Sequence, residues 1–213
     1  MSEPAPSQSN TGDRHGVDRL EAFSDGVFAV AITLLVLGID VPTATDVKEA
    51  GGLGNAIADL LPNIYVYFLG FAVIGVFWIA HHAFFSEVER HDKRLLWTNL
   101  LFLSLIAAMP FSTGLMGEYS GEAVATIIFA GNVALAAAAD RLSEFEAKRS
   151  GLLRPDSTTN QRAYVTRDLL LPAVFVVSIP IALVDPTAAQ FFWLLAIPIG
   201  WHGPAPWKRG EAS

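Results

Sequence analysis

The sequence predicts an all-α integral membrane protein with six transmembrane helices in each subunit. Of its 213 residues, 52% are hydrophobic and 16% are charged. Soluble globular domains contain roughly 25% charged residues, so this chain is too apolar to be a soluble protein. The apolar residues form segments long enough to cross a bilayer, and the basic residues fall in alternate connections between those segments.

Six apolar segments, separated by charged or turn-forming residues, are the predicted spans. Crossing the hydrocarbon layer takes about 20 residues, with a range of about 17 to 25. Spans five and six are short and contain Pro172, Pro180 and Pro198, but prolines are tolerated where neighbouring helices cover the freed carbonyls. In order, the predicted spans are residues 23–41, 60–82, 95–115, 122–139, 168–184 and 188–203.

The basic residues predict the orientation. All of the 14 lysines and arginines except Lys48 lie in the two tails or in the connections after spans two and four. Because such residues remain on the cytoplasmic side, both termini are expected in the cytoplasm and the chain in the cell (plasma) membrane. Residues 1–16 are expected to form a disordered tail, 17–203 the six-helix transmembrane domain, and 204–213 a second cytoplasmic tail.

Several classes of function are disfavoured by composition. The chain has no cysteine, which excludes disulfides and thiolate metal sites, and its net charge of −7 argues against a nucleic-acid partner. The polar N-terminus does not resemble a cleaved signal peptide. No metal site, cofactor or enzyme activity is expected: Ser24 beside Asp25 is a poor nucleophile and base.

The first span carries an ordered aliphatic stripe. Its members follow a 3-4-3-4 spacing that places them on one side of a helix: Val27, Val30, Leu34, Leu37 and Val41. The stripe is bulky, whereas seams between membrane helices favour Gly, Ala and Ser, and Thr33 flanks it with a hydroxyl. Such helices around an axis would stack aliphatic rings that close a pore by dewetting. An ordinary helix-packing seam is the alternative interpretation.

Polar residues of three spans fall at one predicted depth, near the cytoplasmic surface. An ionisable residue in the bilayer centre costs roughly 3 kcal/mol or more, so Asp25 is expected to have partners. It points about 140° away from Val30 at 100° per residue, towards neighbouring helices. Wet, interfacial side chains are the alternative. The cluster contains Arg19, Ser24, Asp25, Trp78, His81, His82, Thr98 and Asn99.

These residues resemble a known family. RLEAFSD at 19–25, followed by GVFAVAITLLVL, is similar to the first-helix signature Arg-x-x-x-Phe-Ser-Asp of the prokaryotic relatives of transmembrane protein 175, the endolysosomal potassium channel of animals. HHAFF at 81–85 and MPFSTGL at 109–115 also resemble this family. The resemblance covers the whole six-helix chain.

The resemblance implies a potassium-selective cation channel that conducts K+ passively through a homotetramer in the lipid bilayer, with the first helix lining the pore. It implies a constriction at Val30, Leu34 and Leu37 and a hydroxyl layer at Thr33. It also implies a structural polar network, expected to comprise Arg19, Phe23, Ser24, Asp25, Trp78, His81, His82 and Asn99. Which of the two histidines joins this network is left open.

One departure bears on selectivity. Family members often have isoleucine or leucine where this chain has Val30, so the tightest ring is expected at Leu34. The alternative function is a proton-coupled transporter or proton pathway using Asp25 and His81 or His82, since histidine titrates near neutrality. Transporters usually show internal repeats, and none is visible.

Overall fold

The structure is a computed structural model that describes residues 8–119, 121–154 and 161–193. Within these residues the chain is helical, with a single antiparallel bridge between Val88 and Leu153. The α-helices, numbered in chain order, are α1 Gln8–Leu34, α2 Ala44–Glu49, α3 Leu53–Asp59, α4 Leu61–Glu87, α5 Lys93–Ala107, α6 Met109–Glu118, α7 Ala123–Arg149, α8 Gln161–Ala182 and α9 Pro186–Phe192. A short 3-10 helix, Leu35–Gly38, extends α1.

Four stretches of these helices are long and apolar enough to cross a membrane: Arg14–Gly38, Leu61–Glu87, Lys93–Glu118 and Ala123–Arg149. Spans one to four are therefore found as helices, and the all-α membrane class is confirmed. In the part of α8 whose side chains are described, Pro172–Ala182 forms a shorter apolar helix. Residues 188–193 of span six are described, most of them in α9, and its other residues lie outside the described part of the chain. A total of six spans therefore remains a prediction.

The bounds of the observed helices differ from those of the predicted spans. α1 begins at Gln8, inside the predicted tail, and its helical part ends at Gly38 rather than at Val41. Span three is divided at Ala108 into α5 and α6, with Pro110 in the first turn of α6. Proline lacks the N–H that a continuous helix needs, which explains the break.

Helix ends follow local capping rules. The Asp92 carboxylate accepts a hydrogen bond from the Leu95 N–H at the start of α5 (2.8 Å), as expected of an N-cap. α7 ends in a Schellman motif: Gly151 has φ +62°, and the Leu152 N–H donates to the Ala147 carbonyl at 3.0 Å. Leu152 and Ala147 are both buried, so the end of α7 is fixed by backbone and apolar contacts together.

The core places α1 against α4 and α5, while α7 contacts α5, α6 and α8. Aromatic side chains fill the first of these contacts: Phe28 of α1 lies 5.9 Å from Phe102 of α5, and Phe77 of α4 lies 5.8 Å from Phe102, between ring centroids. One side of α1 therefore packs into the interior of the helical chain. Its opposite side bears the residues considered next.

Candidate functional site

The aliphatic stripe of α1 is exposed on the subunit surface. Val30, Leu34 and Leu37 are 57%, 42% and 72% exposed. Phe28 and Leu35, on the other side of the helix, are buried in the core. The stripe residues are therefore available to face lipid, a neighbouring subunit or a pore.

Two outer members of the predicted stripe lie elsewhere. Val27 is partly buried and packs against the core. Val41 lies beyond the helical region, because the chain becomes extended at Ile39 (φ −114°, ψ 101°). The helical stripe therefore consists of Val30, Leu34 and Leu37.

Thr33 is exposed beside this stripe. Its hydroxyl donates back to the carbonyls of Ala29 and Val30, with both oxygen–oxygen distances 2.9 Å. This local bond holds the hydroxyl proton against the helix. The lone pairs of the oxygen consequently remain free to accept a hydrogen bond or to contact a cation.

A buried chain of hydrogen bonds joins α1, α4 and α5. His81 Nε2 lies 2.9 Å from Asn99 Oδ1, and the Asn99 amide nitrogen donates to Ser24 Oγ at 3.1 Å. Ser24 in turn donates to the Leu20 carbonyl at 2.9 Å. His81, Asn99 and Ser24 are at most 1% exposed, so these bonds replace hydration that the buried groups have lost.

The direction of this chain assigns the tautomer of His81. Because the Asn99 nitrogen donates to Ser24, its oxygen must accept, and His81 therefore carries a proton on Nε2. His81 Nδ1 is buried and has no hydrogen-bond partner among the described residues. The ring stacks on Phe85, with centroids 4.4 Å apart, and on Phe102, with centroids 5.5 Å apart. These surroundings suit a neutral, structural imidazole.

Asp25 forms a separate contact between α1 and α4. The Trp78 indole N–H donates to Asp25 Oδ1 at 2.9 Å. Asp25 thus turns away from the aliphatic stripe and towards α4, in the direction that helical spacing predicts.

His82 has a different partner from His81. His82 Nδ1 lies 2.9 Å from Glu21 Oε1 of α1, at a partly exposed position, and its ring stacks on Trp78 with centroids 5.9 Å apart. Sequence reasoning did not single out Glu21. The signal was available, since Glu21 precedes Asp25 by one helical turn and both face α4.

Arg19 and Phe23 are exposed, in contrast to Ser24. Within the described residues neither makes a hydrogen bond or ion pair with the buried chain. Helical geometry gives the reason: at 100° per residue, both fall within about 20° of the side that carries Val30. The structure therefore does not bring them to the other network residues within one subunit.

Further polar contacts between helices were not anticipated. The Asn132 amide donates to Ser112 Oγ at 3.1 Å, joining α7 to α6, and the Trp193 indole donates to Ser178 Oγ at 2.7 Å. Single polar residues in apolar segments were their only sequence signal. No group of three or more His, Asp or Glu side chains suited to a metal ion occurs in the described ranges.

The fold and the site define a class of protein. It is a helical membrane protein whose first helix has one exposed apolar face and an opposite face fixed by buried hydrogen bonds. The model of the family described as endosomal/lysosomal potassium channel TMEM175 matches residues 19–110. A potassium channel of Chamaesiphon minutus is 37% identical over 186 residues, which cover 85% of this chain and 88% of that protein. The chain belongs to the TMEM175 family of channels.

Other relatives match over shorter regions. A potassium channel of Streptomyces collinus is 48% identical over 104 residues, about half of either chain (49%). The endosomal/lysosomal proton channel TMEM175 of Bos taurus is 40% identical over 100 residues, which cover 45% of this chain and 21% of the bovine one. The family model, which matches residues 19–110, covers α4, α5 and the larger part of α1.

The fold also matches a solved structure. The crystal structure of a lysosomal potassium-selective channel TMEM175 homologue from Chamaesiphon minutus superposes with a TM-score of 0.76 at 32% identity, covering 90% of this chain and all of that one. The resemblance inferred from RLEAFSD is confirmed.

Proposed function

We propose that the chain is a potassium-selective channel that conducts K+ passively through a tetrameric pore lined by α1. The observation that carries this proposal is the exposed face of α1, on which Thr33 lies beside Val30, Leu34 and Leu37. Large apolar side chains are also exposed elsewhere, for example Phe68 and Phe111, and such residues suit a lipid-facing surface. The additional hydroxyl of Thr33 suits a path for ions better than it suits lipid.

The relatives support the choice of ion. Two bacterial relatives are named potassium channels, and the superposed homologue is described as potassium-selective. One aliphatic face per chain cannot enclose a pore, so several copies must surround it, and closed symmetry is the usual arrangement. We infer four copies, with Leu34 at the narrowest ring because Val30 is smaller.

Exchanging Leu34 tests this assignment. Leu34→Ala and Leu34→Asn are expected to raise single-channel conductance and lower the potassium-to-sodium permeability ratio, because a smaller or polar ring is wider or wetter. Leu100→Ala is the matched control, since Leu100 of α5 is 41% exposed against 42% for Leu34. If the permeability ratio is unchanged in both Leu34 variants, the ring does not select ions.

The orientation is a further part of the proposal: plasma membrane, with both tails cytoplasmic. It is supported by the distribution of basic residues. Since the sequence lacks cysteine, a single cysteine added in either tail can be treated with a membrane-impermeant thiol reagent on intact cells. Neither tail is expected to react with the reagent. Labelling of either tail would contradict the proposed topology.

A proton pathway is the second candidate function, favoured by the animal relatives that are named proton channels. The hydrogen-bonded series His81–Asn99–Ser24 is a poor path for proton transfer, because the side-chain amide of Asn99 does not readily accept and release a proton. Asp25 and the His82–Glu21 pair are better candidates, since carboxylates and imidazoles titrate.

Asp25→Asn separates the two functions. The new side-chain oxygen can still accept the Trp78 N–H, but the titratable group is gone. A potassium channel should retain its potassium current in this variant. Loss of proton flux into liposomes, with Trp78 still in place, would instead favour the proton pathway.

A further inference from the structure

The 3-10 helix Leu35–Gly38 lies where the exposed face of α1 meets the helices that pack behind it. This segment contacts both α4 and α6. Within it Leu35 is buried, whereas Leu37 and the preceding Leu34 are exposed. Because these residues share one short piece of backbone, any displacement of Leu35 moves Leu34 and Leu37 as well.

Behind Leu35 there is no room for a side chain on α4. A methyl group at Gly70 would lie 2.9 Å from both Thr113 Cγ2 and Thr113 Oγ1, and 3.2 Å from Leu35 Cδ2. Such distances are below carbon–carbon contact, which is about 3.5–4.0 Å. Because the nearest atoms belong to Thr113 and Leu35, a side chain at Gly70 must displace one or both of them.

Thr113 is buried on α6, and its Oγ1 has no hydrogen-bond partner among the described residues. At the next residue of α6, Gly114, the backbone comes close to the 3-10 helix: a methyl group at Gly38 would lie 3.5 Å from Gly114 Cα. α6 therefore packs against the 3-10 helix, and α4 packs against it at Gly70.

We propose that Gly70 is a positioning residue for the pore, and that its contact with Thr113 and Leu35 sets how far Leu34 and Leu37 project towards the pore axis. This inference rests on the proposed function, since it needs the exposed face of α1 to line the conduction path. Gly70 itself does not touch the permeating ion. A side chain at this position pushes Leu35 away from α4 and so narrows the constriction.

The test compares two glycines of the same helix. Gly70→Ala is expected to lower single-channel potassium conductance several-fold, with protein yield and assembly preserved. Gly75→Ala is the matched control, because a methyl group at Gly75 meets nothing within 4 Å, and its conductance should equal that of the wild type. The double variant Gly70→Ala/Thr113→Ala removes both Thr113 atoms from the clash and should recover most of the lost conductance.

A smaller side chain at Leu35 is expected to raise conductance instead of lowering it. This variant tests the proposal even if Gly70→Ala does not assemble. Leu35→Val shortens the group that rests on Gly70, so the exposed face should retreat and conductance should rise. Wild-type conductance in Gly70→Ala, or in Leu35→Val, would overturn the proposal. Failure of Thr113→Ala to rescue an assembled Gly70→Ala channel would also overturn it.

A readout without ion flux separates this inference from the proposed function. In the cysteine-free background, Leu37→Cys on its own should form disulfides between subunits around the axis. Adding Gly70→Ala should increase their rate of formation, and adding Gly75→Ala should not. Cross-linking with this pattern in a protein that carries no potassium current would contradict the channel function, while still supporting the effect of Gly70 on how far Leu37 projects. A rate that Gly70→Ala leaves unchanged would refute the positioning role alone.

Discussion

The two adjacent histidines of α4 have unlike roles because each faces a different neighbour. His81 is buried among aromatic rings and bonds to Asn99, whereas His82 is partly exposed and pairs with Glu21. Successive residues of a helix point about 100° apart, so the sequence HHAFF places one ring inwards and the other at the surface. Which of them faces inwards depends on how α4 is rotated against α5, and no single segment encodes that rotation.

The pair offers a matched comparison. His81→Ala should destabilise the protein by about 3 kcal/mol, because it opens a cavity and leaves the Asn99 oxygen buried and unpaired. His82→Ala should cost about 0–1 kcal/mol, as expected for a pair of polar side chains at an exposed position. Thermal unfolding in detergent measures both. Equal losses in the two variants would contradict the assignment of His81 to the buried chain.

At the scale of elements, the end of α7 depends on one backbone conformation. Gly151 has a positive φ of 62°, which costs other residues roughly 1–2 kcal/mol. Gly151→Ala should therefore lower the unfolding temperature, whereas Gly131→Ala in the body of α7 should not, since a methyl group there meets nothing within 4 Å. A Gly151→Ala protein as stable as the wild type would show that the turn contributes little.

The short helix α2 is expected to respond to acid. Hydrogen bonds from the Thr43 hydroxyl and then from its backbone N–H lower the pKa of Asp46 below its ordinary value. Because the folded-state pKa is lowered, this capping contribution is present above the ordinary pKa and is lost as pH falls through the lower, folded-state value. The protection of the α2 amides, measured relative to their intrinsic exchange at each pH, should fall as pH drops through this folded-state value.

Asp46→Asn is the control for this effect. It removes the titratable group but keeps an oxygen that can accept from Thr43, so the protection of α2 should lose its acid-dependent step. Hydrogen–deuterium exchange of the peptide containing Thr43 and Asp46 measures both proteins. An acid-dependent step that persists in Asp46→Asn would assign the titration to another group.

For the molecule as a whole, strong local patterns were the reliable part of the sequence. Long apolar runs predicted the four spanning helices, and helical spacing predicted that Asp25 turns away from Val30. The helices α2 and α3 were not predicted, because both are short and neither has a long apolar face; α2 begins with a capping box of Thr43 and Asp46. The pairing of Val88 with Leu153 was not predicted either, because this contact joins distant parts of the chain.

The polar network shows the same limit. Asp25 could be placed on the packed side of α1 from angles alone, but Arg19 was grouped with it by predicted depth and Phe23 by family resemblance. In one subunit these two lie on the exposed side. Their partners in an assembled channel, like the ring of Leu34 side chains, depend on contacts between copies of the chain, which a single helix pattern does not specify.

The most direct test of the channel function is the reversal potential of the purified protein in planar bilayers, with potassium on one side and sodium on the other. A potassium-selective pore predicts a clear shift towards the potassium equilibrium potential. A reversal potential near zero would contradict selectivity, and the absence of current together with proton flux into liposomes would contradict the potassium channel itself.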